Sequence, residues 1–203
     1  MQMILIAGQA GVGKTTLAKL IAKEVFNGGQ TPVLLSFAGT LKEEASRKGY
    51  TKEEFPEKYR EYCQTIGAAK RKEDPDYWIK ILDETVQDII KKEKESLSKS
   101  TKFWERVIII DDCRYLNELG YGSLYKAVTI FLAAGKREVF NDLWKDHESE
   151  ALAKKLEAGG DPLVDTFTDI IHNDGPLSDL EKITKDNVAL WAGKEIPCES
   201  EGL

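Results

Sequence analysis

Eight consecutive residues carry the clearest chemistry in this chain: Gly8-Gln9-Ala10-Gly11-Val12-Gly13-Lys14-Thr15. They fit the pattern G-x-x-x-x-G-K-[ST], with an apolar run before them and a helical pattern after. Each fixed position has a physical task. Gly8, Gly11 and Gly13, with the backbone of Val12 between them, let N–H groups turn inward around phosphate oxygens. A helix starting near Lys14 and running through Thr15 and Thr16 points its positive dipole end at the same spot. Lys14 is expected to reach the β- and γ-phosphates of a nucleoside triphosphate, and the Thr15 hydroxyl to ligate Mg²⁺. The competing reading is a glycine-rich turn that binds nothing, and the presence of every fixed position in its proper context argues against it.

A second element complements the first. Val107-Ile108-Ile109-Ile110 is a run with no polar alternation, and Asp111-Asp112 follow it. A carboxylate at the end of a buried strand beside a phosphate loop can hold Mg²⁺. The alternative is an Asp that merely shapes a turn. Spacing leaves open which of Asp111 and Asp112 serves the metal. The two elements together specify a site for a nucleoside triphosphate and Mg²⁺ but not the reaction. No Asn-Lys-x-Asp guanine motif is present, which argues against a GTPase.

The pointer to the reaction lies at about residues 38–104, a stretch long for a simple crossover. It holds Lys42, Arg60, Gln64, Arg71 and the aromatics Tyr50, Phe55, Tyr59, Tyr62, Tyr77 and Trp78. Singly, such aromatics are more often core, and such basic residues more often solvated, than ligand contacts. Their order along the chain is more specific. Ser36-Phe37-Ala38, Leu41-Lys42-Glu43-Glu44-Ala45, Arg60, Gln64-Thr65-Ile66-Gly67, Arg71 and Asp74-Pro75-Asp76-Tyr77-Trp78 follow the phosphate loop. Asp112-Cys113-Arg114-Tyr115-Leu116-Asn117-Glu118, His147-Glu148-Ser149-Glu150 and Ile171-His172-Asn173-Asp174-Gly175 come later. Over about residues 3–183 this series resembles the phage-type deoxynucleoside monophosphate kinases.

The resemblance implies a three-layer P-loop kinase fold with sheet order 2-3-1-4-5. It implies transfer of the ATP γ-phosphate to a deoxynucleoside 5′-monophosphate, in nucleotide biosynthesis. It assigns Arg60 and Arg71 to the acceptor phosphate and Gln64 to the acceptor base or sugar, with Lys42 and Trp78 completing the acceptor side. Asp112 and Arg114 would lie between the two phosphates, and Asn173 near the donor adenine. Arg137 would be the lid arginine, acting with Lys14 and Arg114 in catalysis. Two departures stand out: the family has one Asp before x-Arg where this chain has Asp111 and Asp112, and Ala133-Ala134-Gly135 intervene before Lys136-Arg137. His147 matches the family's His-x-Ser-Glu, although a capping role fits it equally. The chemistry agrees with the resemblance. An acceptor phosphate is already anionic at neutral pH, so alignment and charge neutralisation by Lys, Arg and Mg²⁺ are needed, not a His base. Two other readings stay open: a P-loop kinase of another small acceptor such as dephospho-coenzyme A, and a nucleotide-dependent regulatory ATPase.

The elements that must position these residues alternate. Apolar runs at residues 3–7, 33–37, 107–110, 127–132 and 168–172 read as strands, the second and third as buried ones. Helical patterns intervene at 15–26, after Asp74-Pro75, and at about 137–158. Gly28-Gly29 and Gly159-Gly160 are stop signals. Thr40 with Glu43, Thr51 with Glu54, and Ser178 with Glu181 are capping-box signals. Glu93 and Glu95, interleaved among lysines, read as a solvated face. The expected class is α/β: a five-stranded parallel sheet with helices on both faces, binding its ligand at the carboxyl ends of the strands. The organisation is one domain over residues 1–203, with an acceptor-binding segment at about 38–104 and a lid-like segment at about 133–160.

Composition bounds the partners. The chain has 203 residues, 29 Lys+Arg against 35 Asp+Glu, and a net charge of −6. That balance argues against a general nucleic-acid or membrane-surface binder. The expected ligands are small and phosphorylated, in a local pocket of Lys14, Arg60, Arg71 and Arg114, and the family implies a homodimer. Cys63, Cys113 and Cys198 stand far apart and only two His exist, so neither a zinc site nor a disulfide framework is expected. There is no basic n-region before the first apolar run and no stretch near the ~18 apolar residues of a membrane span, so a cytoplasmic location is expected, in the host if the chain is phage-encoded.

Overall fold

The third apolar run becomes the longest strand among the described residues. In the computed structural model, which describes residues 1–97, 105–135 and 150–193, β3 spans Arg106–Cys113 and carries Asp111 and Asp112 within its last turns of pleat. Beside it runs β1, Gln2–Ala7, whose last five residues are all buried. β1 pairs in parallel with β3 and with β4, Val128–Ala133, and β4 pairs in parallel with β5, Asp169–His172. With β2, Thr31–Leu35, at one edge, the sheet is five-stranded and parallel, of order β2-β3-β1-β4-β5.

Helices cover both faces. α1, Lys14–Asn27, and α7, Leu177–Trp191, lie together on one face. Leu17, Ile21 and Val25 of α1 pack there with Ile4 and Ile6 of β1, Ile109 of β3 and Trp191 of α7, all fully or almost fully buried. Burial of these branched and aromatic side chains supplies the main driving force of the layer. On the other face α5, Leu116–Leu124, packs on β1 and β4. Gly122 comes so close to Leu5 that a Cβ there would lie 2.7 Å from Leu5 Cδ2. Further along come α6, Ala151–Glu157, and a 3-10 turn at Pro162–Thr166. All of this belongs to one compact unit, Met1–Leu34 with the chain from Trp104 onward. No helix among the described residues is long and apolar enough to cross a membrane.

The second unit, Leu35–Phe103, is helical. It contains α2, Gly39–Arg47, α3, Pro56–Glu73, and α4, Tyr77–Leu97. Asp74 ends α3, and its Oδ1 accepts from the Asp76 N–H at 3.1 Å just before α4. Leu82 and Val86 of α4 are buried, as the helical spacing predicts.

Several local expectations are corrected. The second strand ends at Leu35 instead of reaching Phe37, and it is an edge strand with Leu34 49% exposed. Pro32, which lacks an N–H, is at home only at such an edge. Thr40 does not cap its helix, because α2 has already begun at Gly39. Ser178 likewise falls inside α7, which begins directly after Pro176. Thr51 makes half of its box: its Oγ1 accepts from the Glu54 N–H at 3.1 Å, one turn before α3. Glu93 is buried and not solvated.

Candidate active site

Two glycines of the loop, Gly8 and Gly13, are required by space and by backbone conformation. Gly8 has φ +145°, and a Cβ on it would lie 2.3 Å from the Leu132 carbonyl oxygen. Gly13 has φ +108° and forms the left-handed N-cap of α1, where a Cβ would lie 2.8 Å from Asn173 Nδ2. Only glycine adopts such backbone freely. Gly11 lies exposed at the loop and Val12 is buried beneath it.

Lys14 is buried, and its Nζ donates to the carbonyls of Gly8 and Gln9, each at 2.6 Å. Burial first, and the nearby Arg114 guanidinium second, hold its ammonium down at about 7, against the pull of Glu150, Asp112 and Asp111. The ammonium is thus folded onto its own loop, and burial rather than a lack of nearby carboxylates holds it down.

Thr15 and Thr16 are exposed at the start of α1. Thr15 Oγ1 donates to Asp111 Oδ2 at 2.6 Å. Ile109 packs in the α1 layer, and beyond it the pairing of β3 with β1 shifts register between Ile110 and Cys113. In that stretch Asp111 meets Thr15, and Asp112, which is buried, also bears on Lys14. A hydroxyl and a carboxylate oxygen in contact suit Mg²⁺, a hard cation that prefers oxygen and uses few protein ligands plus substrate phosphates. Among the described residues no three of His, Cys, Asp and Glu gather into a cage of their own.

Arg114 follows the end of β3. Its Nη1 donates to Glu150 Oε1 at 2.5 Å, and its backbone N–H donates to Glu118 Oε2 at 2.7 Å. Glu118 also accepts from the Tyr115 N–H at 3.1 Å and is buried at the start of α5. Glu150 Oε2 accepts from the Ala10 N–H of the loop at 2.8 Å. Glu157 accepts from the Gln9 side-chain amide and, at 3.1 Å, from the Ala134 N–H. Asn173 is buried; its Nδ2 donates to the Val12 carbonyl at 2.7 Å and its N–H to Ala133 O at 2.9 Å. It therefore joins the end of β5 to the phosphate loop.

The neighbourhood of Lys14 is not uniformly positive, as the sequence had implied. Lys14 and Arg114 share it with the carboxylates of Asp111, Asp112 and Glu150. Asp112 is buried, and the neighbouring Cys113 thiol is pushed up, chiefly by burial. Motif reading quoted Glu118 and Glu150 without giving them a role, and it missed Glu157. Two signals were available: Glu118 stands three residues after Tyr115 in a helix start, and Glu150 and Glu157 are seven apart, two helical turns.

In the helical unit, Arg60, Gln64, Gly67 and Arg71 fall on one stripe of α3, at steps of four, three and four residues. Arg60, Gln64 and Arg71 are half-buried. Trp78 is buried and its Nε1 donates to the Gly67 carbonyl at 3.3 Å; Arg71 Nη1 reaches the same carbonyl at 3.5 Å. Lys42 Nζ donates to Ser36 Oγ at 2.6 Å. Tyr62 Oη donates to Glu44 Oε1 at 2.5 Å, which pushes its phenol up to about 12. Arg137 and His147 lie outside the described residues.

The family model for the ATPase family associated with various cellular activities (AAA) matches residues 4–119. No curated protein matches the sequence. A gluconokinase from Sinorhizobium meliloti 1021 aligns with a TM-score of 0.47 at 15% identity, covering 95% of this chain and 94% of that one. A shikimate kinase from Bacteroides thetaiotaomicron aligns with a TM-score of 0.46 at 14% identity, over 93% and 96%.

Proposed function

The chain belongs to the ATPase family associated with various cellular activities, and within that family we propose that it is an ATP-dependent phosphotransferase acting on a deoxynucleoside 5′-monophosphate. The observation that carries this reading is the cluster at the loop: Lys14 on the Gly8 and Gln9 carbonyls, Thr15 on Asp111, and Arg114 held near Lys14. The polar stripe of α3 supports the choice of acceptor, since Arg pairs match phosphate oxygens through their planar fork.

In this mechanism an acceptor phosphate oxygen attacks the γ-phosphorus of ATP. The new O–P bond forms as the bond to the β-phosphate oxygen breaks, and ADP leaves. No side chain has to remove a proton. Loop N–H groups and Lys14 bind the donor phosphates, and Lys14 leaves its carbonyl partners to do so. Arg114 sets its charge beside the group in flight, where alignment and charge neutralisation carry most of the catalysis. Arg60 and Arg71 are assigned to the acceptor phosphate, Gln64, Lys42 and Trp78 to the rest of the acceptor, and Asn173 and Arg137 to the donor side. Thr15 with Asp111 would hold Mg²⁺, with Asp112 beside them, and the ion would draw off charge from the phosphate oxygens.

A coupled assay of ADP release with Mg-ATP across the common dNMPs tests the proposal. Acceptor-stimulated turnover with at least one is expected; none with any would sink it. Membership of an ATPase family favours one rival, a regulatory ATPase without a small acceptor. Hydrolysis that responds to a macromolecule and ignores dNMPs would select it.

A further inference from the structure

One short helix brings two carboxylates to the phosphate loop. Glu150 is the N-cap residue of α6 and Glu157 its last residue. They engage neighbouring loop residues, Glu150 the Ala10 N–H and Glu157 the Gln9 side chain. Glu150 does more, because its second oxygen takes the Arg114 guanidinium at 2.5 Å. Its side chain is 9% exposed while that of Arg114 is 31% exposed. A buried carboxylate is tolerated only when its oxygens are partnered, and here both are. Nothing in phosphate binding calls for an anion at this place. Its presence needs another reason.

We propose that Glu150 is a positioning residue: it ties the Arg114 guanidinium to the rim of the phosphate loop, so that the arginine is oriented before substrates arrive. The proposal rests on the phosphotransferase reading, in which Arg114 acts on the phosphates. A free arginine side chain samples many rotamers and loses that freedom when it binds. An ion pair anchored on a loop amide removes much of that freedom in advance, and misplacement by about 1 Å can lower a rate about 100-fold. The arrangement also couples α6 to Arg114, since the residue at the head of the helix is the residue that holds the arginine. The rival is that Glu150 stands in a phosphate's place and must withdraw. The two readings predict opposite signs.

The test is a double-mutant cycle on the full chain with Glu150→Ala, Arg114→Ala and the pair, reading kcat and KM for dNMP phosphorylation and acceptor-free ATP hydrolysis. Glu150→Ala should lower kcat about 10- to 100-fold with KM for ATP within about threefold, and the pair should be no worse than Arg114→Ala alone. Glu150→Gln, which still offers one acceptor oxygen, should recover part of the loss. It also carries the test if the alanine variant fails to fold. Lys155→Ala, on the same helix and paired with Asp161, should leave both constants unchanged. Tighter ATP binding with kcat equal or raised in Glu150→Ala, or additive losses in the pair, would overturn the proposal. If no dNMP is phosphorylated, the function reading fails separately. The Arg114 guanidinium resonance in NMR then decides the anchoring without turnover: sharp and dispersed in the wild type, averaged in Glu150→Ala. An averaged resonance already in the wild type refutes it.

Discussion

Thr15 Oγ1 donates to Asp111 Oδ2 across 2.6 Å, so the first of two adjacent carboxylates shares the hydroxyl of the phosphate loop. Asp111→Asn should therefore raise the Mg²⁺ concentration needed for half-maximal activity and lower kcat about 100-fold, the scale of losing an electrostatic stabiliser. Asp112→Asn should leave the Mg²⁺ requirement nearly unchanged. Titration of activity against Mg²⁺ in both variants checks the order, and the reverse pattern would assign the metal to Asp112.

Lys14→Met should abolish phosphoryl transfer and leave the fold intact. The replacement keeps the length of the side chain and removes a buried ammonium that burial already holds down at about 7. Circular dichroism and a melting curve check the fold, and the coupled assay checks activity. Residual kcat within about tenfold of wild type would refute the assigned role.

Nucleotide binding should take up a proton above neutral pH. The free Lys14 ammonium titrates at about 7. Polyphosphate beside it stabilises the charged form and raises that value. At pH 6 Lys14 is protonated before and after binding, so no uptake occurs. At pH 8.5, a pH chosen about 1.5 units above the free value, it is mostly neutral when free and protonated when bound, so uptake approaches one proton. Calorimetry of ATP binding in two buffers of different ionisation enthalpy reads this directly. Proton release at pH 8.5 would contradict it.

Asn173→Ala should lower stability by about 1–3 kcal/mol, because the Val12 carbonyl loses its donor in a buried place. For a chain of this size that is a melting shift of about 2–4 °C per kcal/mol. The variant should also weaken ATP binding, since the loop loses its tie to the end of β5. A melting shift with unchanged ATP affinity would limit Asn173 to a structural part.

Arg60→Ala should raise KM for the acceptor and leave KM for ATP nearly unchanged. Removing one charged hydrogen bond to phosphate corresponds to about 1.5–3 kcal/mol, a factor of roughly 10 to 150. A variant altered only in ATP affinity would move Arg60 to the donor side.

The parallel sheet and the loop were legible because they rest on local rules, whereas the sheet order came with the family resemblance. Four apolar residues before two Asp specify a buried strand whatever surrounds them, and Lys14 behind three glycines specifies a phosphate cradle. What stayed hidden was which of the two acids meets Thr15: the pairing of β3 with β1 shifts register between Ile110 and Cys113, so alternation counted from the apolar run does not carry across Asp111 and Asp112. The edge position of β2 was half legible, in Pro32. Glu150 was quoted within a motif, yet its role depends on Ala10 and Arg114, 140 and 36 residues away in sequence. Glu93 shows the converse: a glutamate among lysines reads as solvated, while its burial depends on tertiary packing.

The closeness of Gly13 to Asn173 bears on how descendants of this chain would diverge. The glycine at that position answers to a neighbouring amide, whatever the proposed phosphate asks of it. A lineage that abandoned nucleotides would still be penalised for replacing Gly13 as long as it kept Asn173. Glycine retention would then be a poor marker of live enzymes in this lineage. Lys14, whose burial is a burden without a polyanion to answer it, would be the first position to drift and the better one to watch.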